Sequence, residues 1–186
     1  MKRQNLVAVD VGTASARAGI FDAAGRLLAR ATHPILMQRP QENHAEHDST
    51  DIWKAVCIVV RAALAEAGVP PQSIAAIGFD ATCSLVIRDG RGEPVSVSVT
   101  GEDRFDTIVW LDHRAISEAD RLTASGHRVL DFAGNSVSPE MQMPKLMWLK
   151  QHMPESWSRM SLAFDLADFL TWKATGSATV SYTHLT

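Results

Sequence analysis

A single carboxylate, Asp10, follows a β-branched run near the start of the chain and precedes a turn of small and hydroxyl residues. The segment reads Val7-Ala-Val-Asp-Val-Gly-Thr-Ala-Ser-Ala-Arg17. Mg²⁺ keeps several waters and binds one or two protein carboxylates together with substrate phosphates. Glycine lets the backbone approach a phosphate, whose oxygens accept hydrogen bonds from N–H groups and hydroxyls. The segment is therefore a candidate Mg²⁺-phosphate site; the alternative is a strand whose acidic residue lies at a hairpin turn.

Two further carboxylates, Asp80 and Asp112, have the same context, because each ends a short apolar stretch of strand-forming residues. In α/β sheets, ligands bind outside the carboxyl ends of the strands. The three acids are therefore expected to converge on one cleft. Taken singly, each acid has the alternative role of beginning a turn, which is common for aspartate. The three occurrences together favour a site.

Another polar group has the residue types of a metal site: His44, Glu46, His47 and Asp48. Its i, i+2, i+3 spacing matches no zinc motif, so a solvated loop is the prediction. The turn at Gly12 lacks the Gly-Lys-Thr ending of a P-loop, which argues against that nucleotide-binding fold.

The composition is that of an ordinary globular protein, since 46% of the 186 residues are hydrophobic and 21% are charged. The net charge of −3 argues against binding to nucleic acid or a membrane surface. No apolar stretch approaches the roughly 20 residues that span a bilayer, and the N-terminus lacks the apolar core of a signal peptide. Cys57 and Cys83 have neither disulfide-framework nor metal spacing, so the predicted location is the reducing cytoplasm.

Strand-forming runs joined by short turns predict an antiparallel meander at the N-terminus. Further short strands alternate with helices, so the predicted fold class is mixed α/β. The predicted strands are 5–11, 16–21, 26–32, 74–79, 85–87 and 107–111, and residues 38–47 are predicted to form a loop.

Apolar residues at helical spacing, together with capping residues, predict four helices. They extend from Ser49 or Thr50 to Gly68, over 114–124, over 145–151 after Pro144, and over 166–174 after Asp165. Three tryptophans on apolar helix faces are predicted to fill the core rather than stack on a base or sugar: Trp148, Trp157 and Trp172.

Five segments, in order, resemble the FGGY carbohydrate kinases, a family of the actin/hexokinase/Hsp70 superfold. The first two are Val9–Asp22, which looks like the family's first phosphate motif, and Glu46-His-Asp48 followed by Ile52-Trp53. The other three are similar to the D-ribulokinase-like branch: Ile77-Gly-Phe-Asp-Ala-Thr-Cys-Ser-Leu-Val86, Val109-Trp-Leu-Asp-His-Arg114 and Ser138-Pro-Glu-Met-Gln-Met-Pro-Lys-Leu-Met-Trp148. The likeness covers about residues 5–178 and implies a ribonuclease H-like, actin-like ATPase fold.

The resemblance implies ATP-dependent phosphorylation of a ketopentose, with D-ribulose as the leading acceptor and ATP and Mg²⁺ as cofactors. By likeness, the phosphate and Mg²⁺ residues are Asp10, Gly12, Thr13, Ser15 and Arg17. Asp10 would hold Mg²⁺ through water, and Arg17 would offer charge to the phosphates. Phosphoryl transfer depends mainly on positioning and charge neutralisation, which suits these residue types.

By likeness, the sugar side comprises Asp80, Thr82, Cys83, Ser84, Asp112, His113 and Glu140. Small hydroxyl and thiol groups leave room for a polyol and can donate and accept hydrogen bonds. A site that bonds substrate hydroxyls rejects analogues that lack them. For Cys83 the alternative is a small buried residue. The implied partner is a small sugar, with a homodimer as a candidate assembly.

Residues 1–178 are expected to form part of the family's N-terminal domain. Residues 179–186 leave the family pattern and are expected to be an atypical tail, consistent with truncation. In these kinases the general base lies later in the first domain and the adenosine pocket in a C-terminal domain, so this piece is expected to be inactive alone. The alternatives are a kinase for L-ribulose, xylulose or another polyol, and a non-catalytic sugar- or nucleotide-binding module.

Overall fold

The computed structural model describes residues 4–178. They divide into two compact units, the first built from residues 4–35, 51–82 and 164–178 and the second from residues 36–50 and 83–163. The strands and helices, in chain order, are β1 (Asn5–Val11), β2 (Ser15–Phe21), β3 (Leu27–Pro34), β4 (Met37–Gln38), β5 (Glu46–His47), α1 (Ser49–Ala67), β6 (Ile74–Ala81), β7 (Leu85–Arg88), β8 (Thr107–Ile108), α2 (Ile116–Ala124), α3 (Gln142–His152), α4 (Pro154–Arg159), β9 (Leu162–Asp165) and α5 (Leu166–Thr175).

The first unit contains a four-stranded sheet in the order β3-β2-β1-β6. Its first three strands form the predicted antiparallel meander, and β6 pairs with β1 in parallel. Every second residue of β1 is buried, namely Val7, Val9 and Val11, as expected for a strand with one face on a core. Because β1 and β6 are parallel, their carboxyl ends lie at the same edge of the sheet.

The helix α1 provides the crossover that joins β1–β3 to the parallel strand β6. Its buried stripe, at helical spacing, consists of Ile52, Val56, Val59 and Ala63. The helix ends before Gly68, whose φ of +64° is a left-handed conformation that glycine adopts without steric cost.

A five-stranded sheet has the order β4-β5-β8-β7-β9. Its strands β4, β5, β7 and β8 lie in the second unit, and β9 crosses the unit boundary at residue 164. The core of the second unit combines short strands with a loop and α3. The buried residues of this core are Leu85, Ile87, Val95, Val97, Ile108, Ala115, Trp148 and Leu149. Long irregular segments connect these elements. Side chains therefore make hydrogen bonds to several backbone N–H and C=O groups that would be paired with a neighbouring strand in a regular sheet.

The prediction of a loop over residues 38–47 is confirmed for residues 39–45, whereas the prediction that its polar residues are solvated is wrong. Short strands lie at both ends of this stretch, and His44, Glu46 and His47 are buried. Asp48 is partly buried, and its Oδ1 accepts a hydrogen bond from the Thr50 backbone N–H at 2.7 Å, so it caps α1. The error arose because polar residues normally indicate exposure, whereas Glu46 is paired with Arg114, 68 residues away, and the His44 ring packs against Trp148.

Several element boundaries also differ from the prediction. The strand predicted over 107–111 has only two residues, and α2 begins at Ile116 rather than at residue 114. The helix α3 begins at Gln142, before Pro144, which a first turn tolerates because its N–H groups need no intrahelical acceptor. Neither α4 nor β9 is predicted from the sequence.

Other expectations agree with the structure. Trp148 is buried, Trp157 packs against the core of the second unit, and Trp172 stacks on Phe164 at 5.4 Å between ring centroids. None of the helices within residues 4–178 is long and apolar enough to cross a membrane. The predicted tail, residues 179–186, lies outside the described residues.

Candidate active site

Asp10 and Asp80 lie side by side at the carboxyl edge of the first sheet. They are register partners on the parallel strands β1 and β6, and each is the penultimate residue of its strand. The Asp10 side chain is 49% exposed, and Asp80 is exposed. The structure therefore brings two of the three predicted acids together where α/β sheets bind ligands. The third, Asp112, belongs to the other unit.

Arg17 on β2 completes this cluster. Its Nε lies 3.2 Å from Asp10 Oδ2, and its side chain is 52% exposed. A Cβ on Gly12 would lie 2.7 Å from Arg17 Nη2, so the guanidinium packs over a backbone that has no side chain there. The Gly12 N–H donates to the Ser15 carbonyl at 3.0 Å, which closes the turn between β1 and β2.

The residues of the first unit fit a hydrated Mg²⁺ beside a phosphate. Asp10, Asp80, Arg17 and Arg30 line a depression of about 400 Å³. One or two carboxylates suit a cation that keeps its waters and takes its remaining ligands from phosphate. Within residues 4–178 there is no group of three or more His, Cys, Asp or Glu side chains placed to hold a metal ion by themselves. Thr13 and Ser15 are partly exposed in the turn.

The predicted sugar-side segment beginning at Thr82 crosses from the first unit into the second. The Thr82 backbone N–H donates to the Val11 carbonyl at 3.1 Å, which extends the β1–β6 pairing. Cys83 is exposed, so its alternative interpretation as a small buried residue is wrong. Its backbone carbonyl accepts a hydrogen bond from Gln142 Nε2 at 3.0 Å.

Two predicted sugar ligands, Ser84 and Asp112, are fully buried and engaged with protein. Ser84 Oγ accepts a hydrogen bond from the Trp110 N–H at 3.2 Å. Each Asp112 oxygen accepts two hydrogen bonds, at 2.6–2.9 Å, from Arg114 and from the Ala45 N–H. These four bonds fill the acceptor capacity of a carboxylate. In this structure the polar atoms of both side chains are therefore used within the protein, and a direct contact with a sugar stays a prediction.

His113 and Glu140 are brought together although 27 residues separate them in sequence. His113 Nε2 lies 3.3 Å from Glu140 Oε1, and the side chains are 46% and 39% exposed. His113 also lines a cavity of about 490 Å³ together with Asn43, His44 and Ser117. Both partners are accessible and can donate or accept hydrogen bonds, which suits recognition of a neutral hydroxylated ligand.

A buried ionic network that the sequence did not predict supports this region. Arg114 Nη2 bonds to Glu46 Oε1 at 2.9 Å and to Asp112 Oδ2 at 2.8 Å, and all three side chains are fully buried. Arg114 Nη1 donates to the Val97 carbonyl at 2.7 Å, and its guanidinium lies 5.0 Å from the Trp148 ring. The Asp-His-Arg triplet was recognised as a motif, but nothing in its spacing indicated that Glu46 would be its partner.

A second buried pair fixes the start of α1. Arg88 Nη2 lies 2.8 Å from Asp106 Oδ2, and Arg88 also bonds to the Ser49 hydroxyl. The Asp106 carboxylate accepts hydrogen bonds from the Ser49 N–H and hydroxyl. Burial raises the pKa of Asp106 to about 6, and the neighbouring Arg88 opposes this rise.

His44 is expected to make the second unit sensitive to acid. Its ring meets Trp148 edge-on at 5.6 Å, and within residues 4–178 its Nδ1 has no hydrogen-bond partner, Glu46 Oε1 being 3.9 Å away. Burial lowers the pKa of His44, Arg114 lowers it further, and Asp112 and Glu46 oppose them. Because the folded pKa lies below the unfolded value of about 6.5, the unfolded state binds more protons, and stability falls as pH drops through that window.

The variant His44→Phe keeps a ring against Trp148 but cannot titrate. We expect its melting temperature to fall less than that of the wild type between pH 7 and pH 5. His33→Gln, on β3, is the matched control. Asp106 titrates in an overlapping range with the opposite sign, and comparing variants at each pH cancels its contribution. An identical pH dependence in His44→Phe and wild type would contradict the assignment.

Comparison with known proteins gives three findings. The model of the FGGY family of carbohydrate kinases, N-terminal domain, matches residues 5–186. A human FGGY carbohydrate kinase domain-containing protein is 47% identical over 171 residues, covering 91% of this chain and 31% of the relative. A D-ribulokinase of Saccharomyces cerevisiae is 41% identical over 179 residues, covering 95% of this chain and 25% of the relative. The chain thus spans about a third or less of these relatives' lengths.

A solved xylulose kinase from Rhodospirillum rubrum matches the structure with a TM-score of 0.81 at 22% identity, covering 96% of this chain and 35% of the other. At this identity the likeness shows the fold, and it confirms the predicted mixed α/β, actin-like ATPase fold. The family model covers nearly all of the chain, including the sheet edge that carries Asp10 and Asp80. This chain therefore belongs to the FGGY family of carbohydrate kinases and matches the N-terminal domain of that family.

Proposed function

We propose that the chain is the N-terminal part of a longer ATP-dependent kinase that phosphorylates a ketopentose, with D-ribulose converted to D-ribulose 5-phosphate. The observation that carries the kinase proposal is the pairing of Asp10 with Asp80 at one sheet edge, with Arg17 at 3.2 Å from Asp10. The D-ribulokinase relative supports the choice of acceptor.

In this proposal the first unit handles the phosphates. Asp10 would hold Mg²⁺ through water, and the ion would supply charge neutralisation at the ATP phosphates. Asp80, which the resemblance places on the sugar side, lies beside Asp10 at the same sheet edge. The Gly12 turn, with the hydroxyls of Thr13 and Ser15, binds phosphate oxygens. Arg17 exchanges its contact with Asp10 for one with phosphate, which its exposed position permits.

The second unit supplies sugar-binding groups in this proposal. The accessible candidates are Cys83, His113 and Glu140, with Thr82 at the preceding strand end. Ser84 and Asp112 stay predicted sugar ligands, and in this structure their polar atoms hold the protein backbone and Arg114. During transfer the terminal sugar hydroxyl bonds to the γ-phosphorus, ADP leaves, and the hydroxyl proton passes to a base; no residue within 4–178 is assigned that role.

An acceptor panel tests the function. The full-length protein should phosphorylate D-ribulose with a kcat/KM at least about tenfold above those for L-ribulose, D-xylulose and glycerol, a difference of about 1.4 kcal/mol in transition-state binding. ADP formation measures the rate, and residues 1–186 alone are expected to give none.

Preference for another acceptor would reassign the sugar while keeping the kinase. If the full-length protein binds sugar or nucleotide but produces no ADP with any acceptor, the non-catalytic module becomes the better description. Turnover by residues 1–186 alone would contradict the expectation that further segments complete the site.

A further inference from the structure

Two segments of the second unit, at Cys83 and at the loop 109–113, contact the start of α3 and the residues just before it. Gln142 Nε2 bonds to the Cys83 carbonyl at 3.0 Å, and Glu140 Oε1 lies 3.3 Å from His113 Nε2. Lys145 Nζ bonds to the Trp110 carbonyl at 3.1 Å. The residues proposed to bind sugar are thus attached to one six-residue stretch, 140–145, although they come from positions far apart in the chain.

Lys145 is the unexpected member of this stretch, because its side chain is fully buried. Its ammonium donates to two consecutive carbonyls, those of Val109 at 3.0 Å and Trp110 at 3.1 Å. Burial of an ammonium group costs free energy unless it is hydrogen-bonded. This burial lowers the pKa of Lys145 to about 8, while Asp112, Cys83 and Glu140 favour its charged form and Arg114 does not.

The carbonyls that Lys145 binds lie where the sheet stops. The strand β8 ends at Ile108, and beyond it the Val109 N–H still donates to the Ala45 carbonyl at 2.9 Å. The Val109 carbonyl accepts a hydrogen bond from the Asp112 N–H at 3.0 Å in addition to the one from Lys145. The Trp110 N–H is bound by Ser84, and Arg114 is held by Asp112. Lys145 donates hydrogen bonds to two carbonyls of the same loop and so attaches the loop to α3.

We propose that Lys145 is a positioning residue for the sugar side: it fixes the loop 109–113 against α3, so that His113 and Glu140 meet at a ligand-binding distance. This inference rests on the proposed function. The alternative is that Lys145 contributes to stability alone. The two alternatives differ in what a substitution does to sugar binding relative to ATP binding.

The test compares Lys145→Met with Lys150→Met in the full-length kinase. Lys150 is on the same helix but is exposed, with its Nζ 5.7 Å from the Trp157 ring. Lys145→Met should raise the KM for D-ribulose by about tenfold, equivalent to ~1.4 kcal/mol of binding, with the KM for ATP changed less than about twofold. Lys150→Met should leave both values near wild type. Equal changes in the two KM values would overturn the positioning role.

A double-mutant cycle with His113→Ala identifies the route of the effect. If Lys145 acts through His113, adding Lys145→Met to His113→Ala should raise the sugar KM little further. If the increase in sugar KM of the double variant equals the product of the increases of the two single variants, the proposal is overturned. Near-UV circular dichroism checks folding; if Lys145→Met is unfolded, Lys145→Gln, which retains an N–H donor, takes its place with the same criteria.

Calorimetric titration with D-ribulose separates this inference from the proposed function. Weaker D-ribulose binding by the Lys145 variant, in a protein whose wild type binds but does not turn over, would support the positioning role and overturn the kinase proposal. Equal binding by variant and wild type would overturn the positioning role whatever the activity. A wild type that does not bind D-ribulose would overturn the choice of acceptor, and with it the positioning role for that sugar.

Discussion

Asp10→Asn in the full-length kinase is expected to lower kcat by about 10²–10³-fold, the range seen when one preorganised electrostatic group is removed from an active site. The amide keeps the shape of the side chain but removes the charge that would hold the hydrated cation. The fold should persist, because the ion pair with Arg17 is about half exposed and such pairs contribute roughly 0–1 kcal/mol.

The control for this prediction is Asp89→Asn in the turn that follows β7. Asp89 Oδ1 accepts hydrogen bonds from the Arg91 and Glu93 N–H groups, which an asparagine oxygen can also accept. Its kcat should stay within about twofold of wild type, a change of only ~0.4 kcal/mol in the barrier. The measurement is the steady-state rate over a range of Mg²⁺ concentrations. An unchanged kcat in Asp10→Asn would mean that Asp10 has no role in the reaction.

Arg114→Met should destabilise the chain by about 3–5 kcal/mol, because it leaves Glu46 and Asp112 as buried carboxylates without their cation. Methionine has a similar length and can still pack against Trp148, so the loss reports mainly on charge. Urea denaturation followed by near-UV circular dichroism measures the change. Arg91→Met is the matched control, since Arg91 is 88% exposed and lies 3.8 Å from Asp89; its effect should be within about 0.5 kcal/mol.

The origin of this loss can be tested by neutralising the two acids. In the background of Arg114→Met, the changes Glu46→Gln and Asp112→Asn should recover part of the stability, because neutral amides are less costly to bury than unpaired carboxylates. No recovery would mean that lost packing and the lost bond to the Val97 carbonyl dominate. A loss below about 1 kcal/mol in Arg114→Met itself would show that the network contributes little.

Local patterns predicted the first unit well. Alternating buried positions in β1 and the small-residue turn at Gly12 are properties of adjacent residues, and they appear in the structure as predicted. The pairing of Asp10 with Asp80 was expected only in general terms, from their positions at strand ends. The exact register depends on β6 lying parallel to β1, which the crossover through α1 allows.

The second unit was predicted less well, because its order depends on contacts distant in sequence. Glu46 and Arg114 are 68 residues apart, and Lys145 reaches carbonyls 35 and 36 residues earlier in the chain. Short strands and long loops leave little periodicity to detect. Charged residues there were assigned to the surface or to the ligand, since sequence alone does not show which polar groups find partners inside the protein.

By itself, the sequence determined the family, because motif types and their order are carried by the chain and are independent of its folding. The tertiary structure alone decided which candidates remain accessible. Asp10, Asp80, Cys83, His113 and Glu140 present atoms at the surface, whereas Ser84 and Asp112 are buried and engaged. The physical reason is that a carboxylate or hydroxyl binds whatever donors folding brings to it, and those donors come from distant parts of the chain.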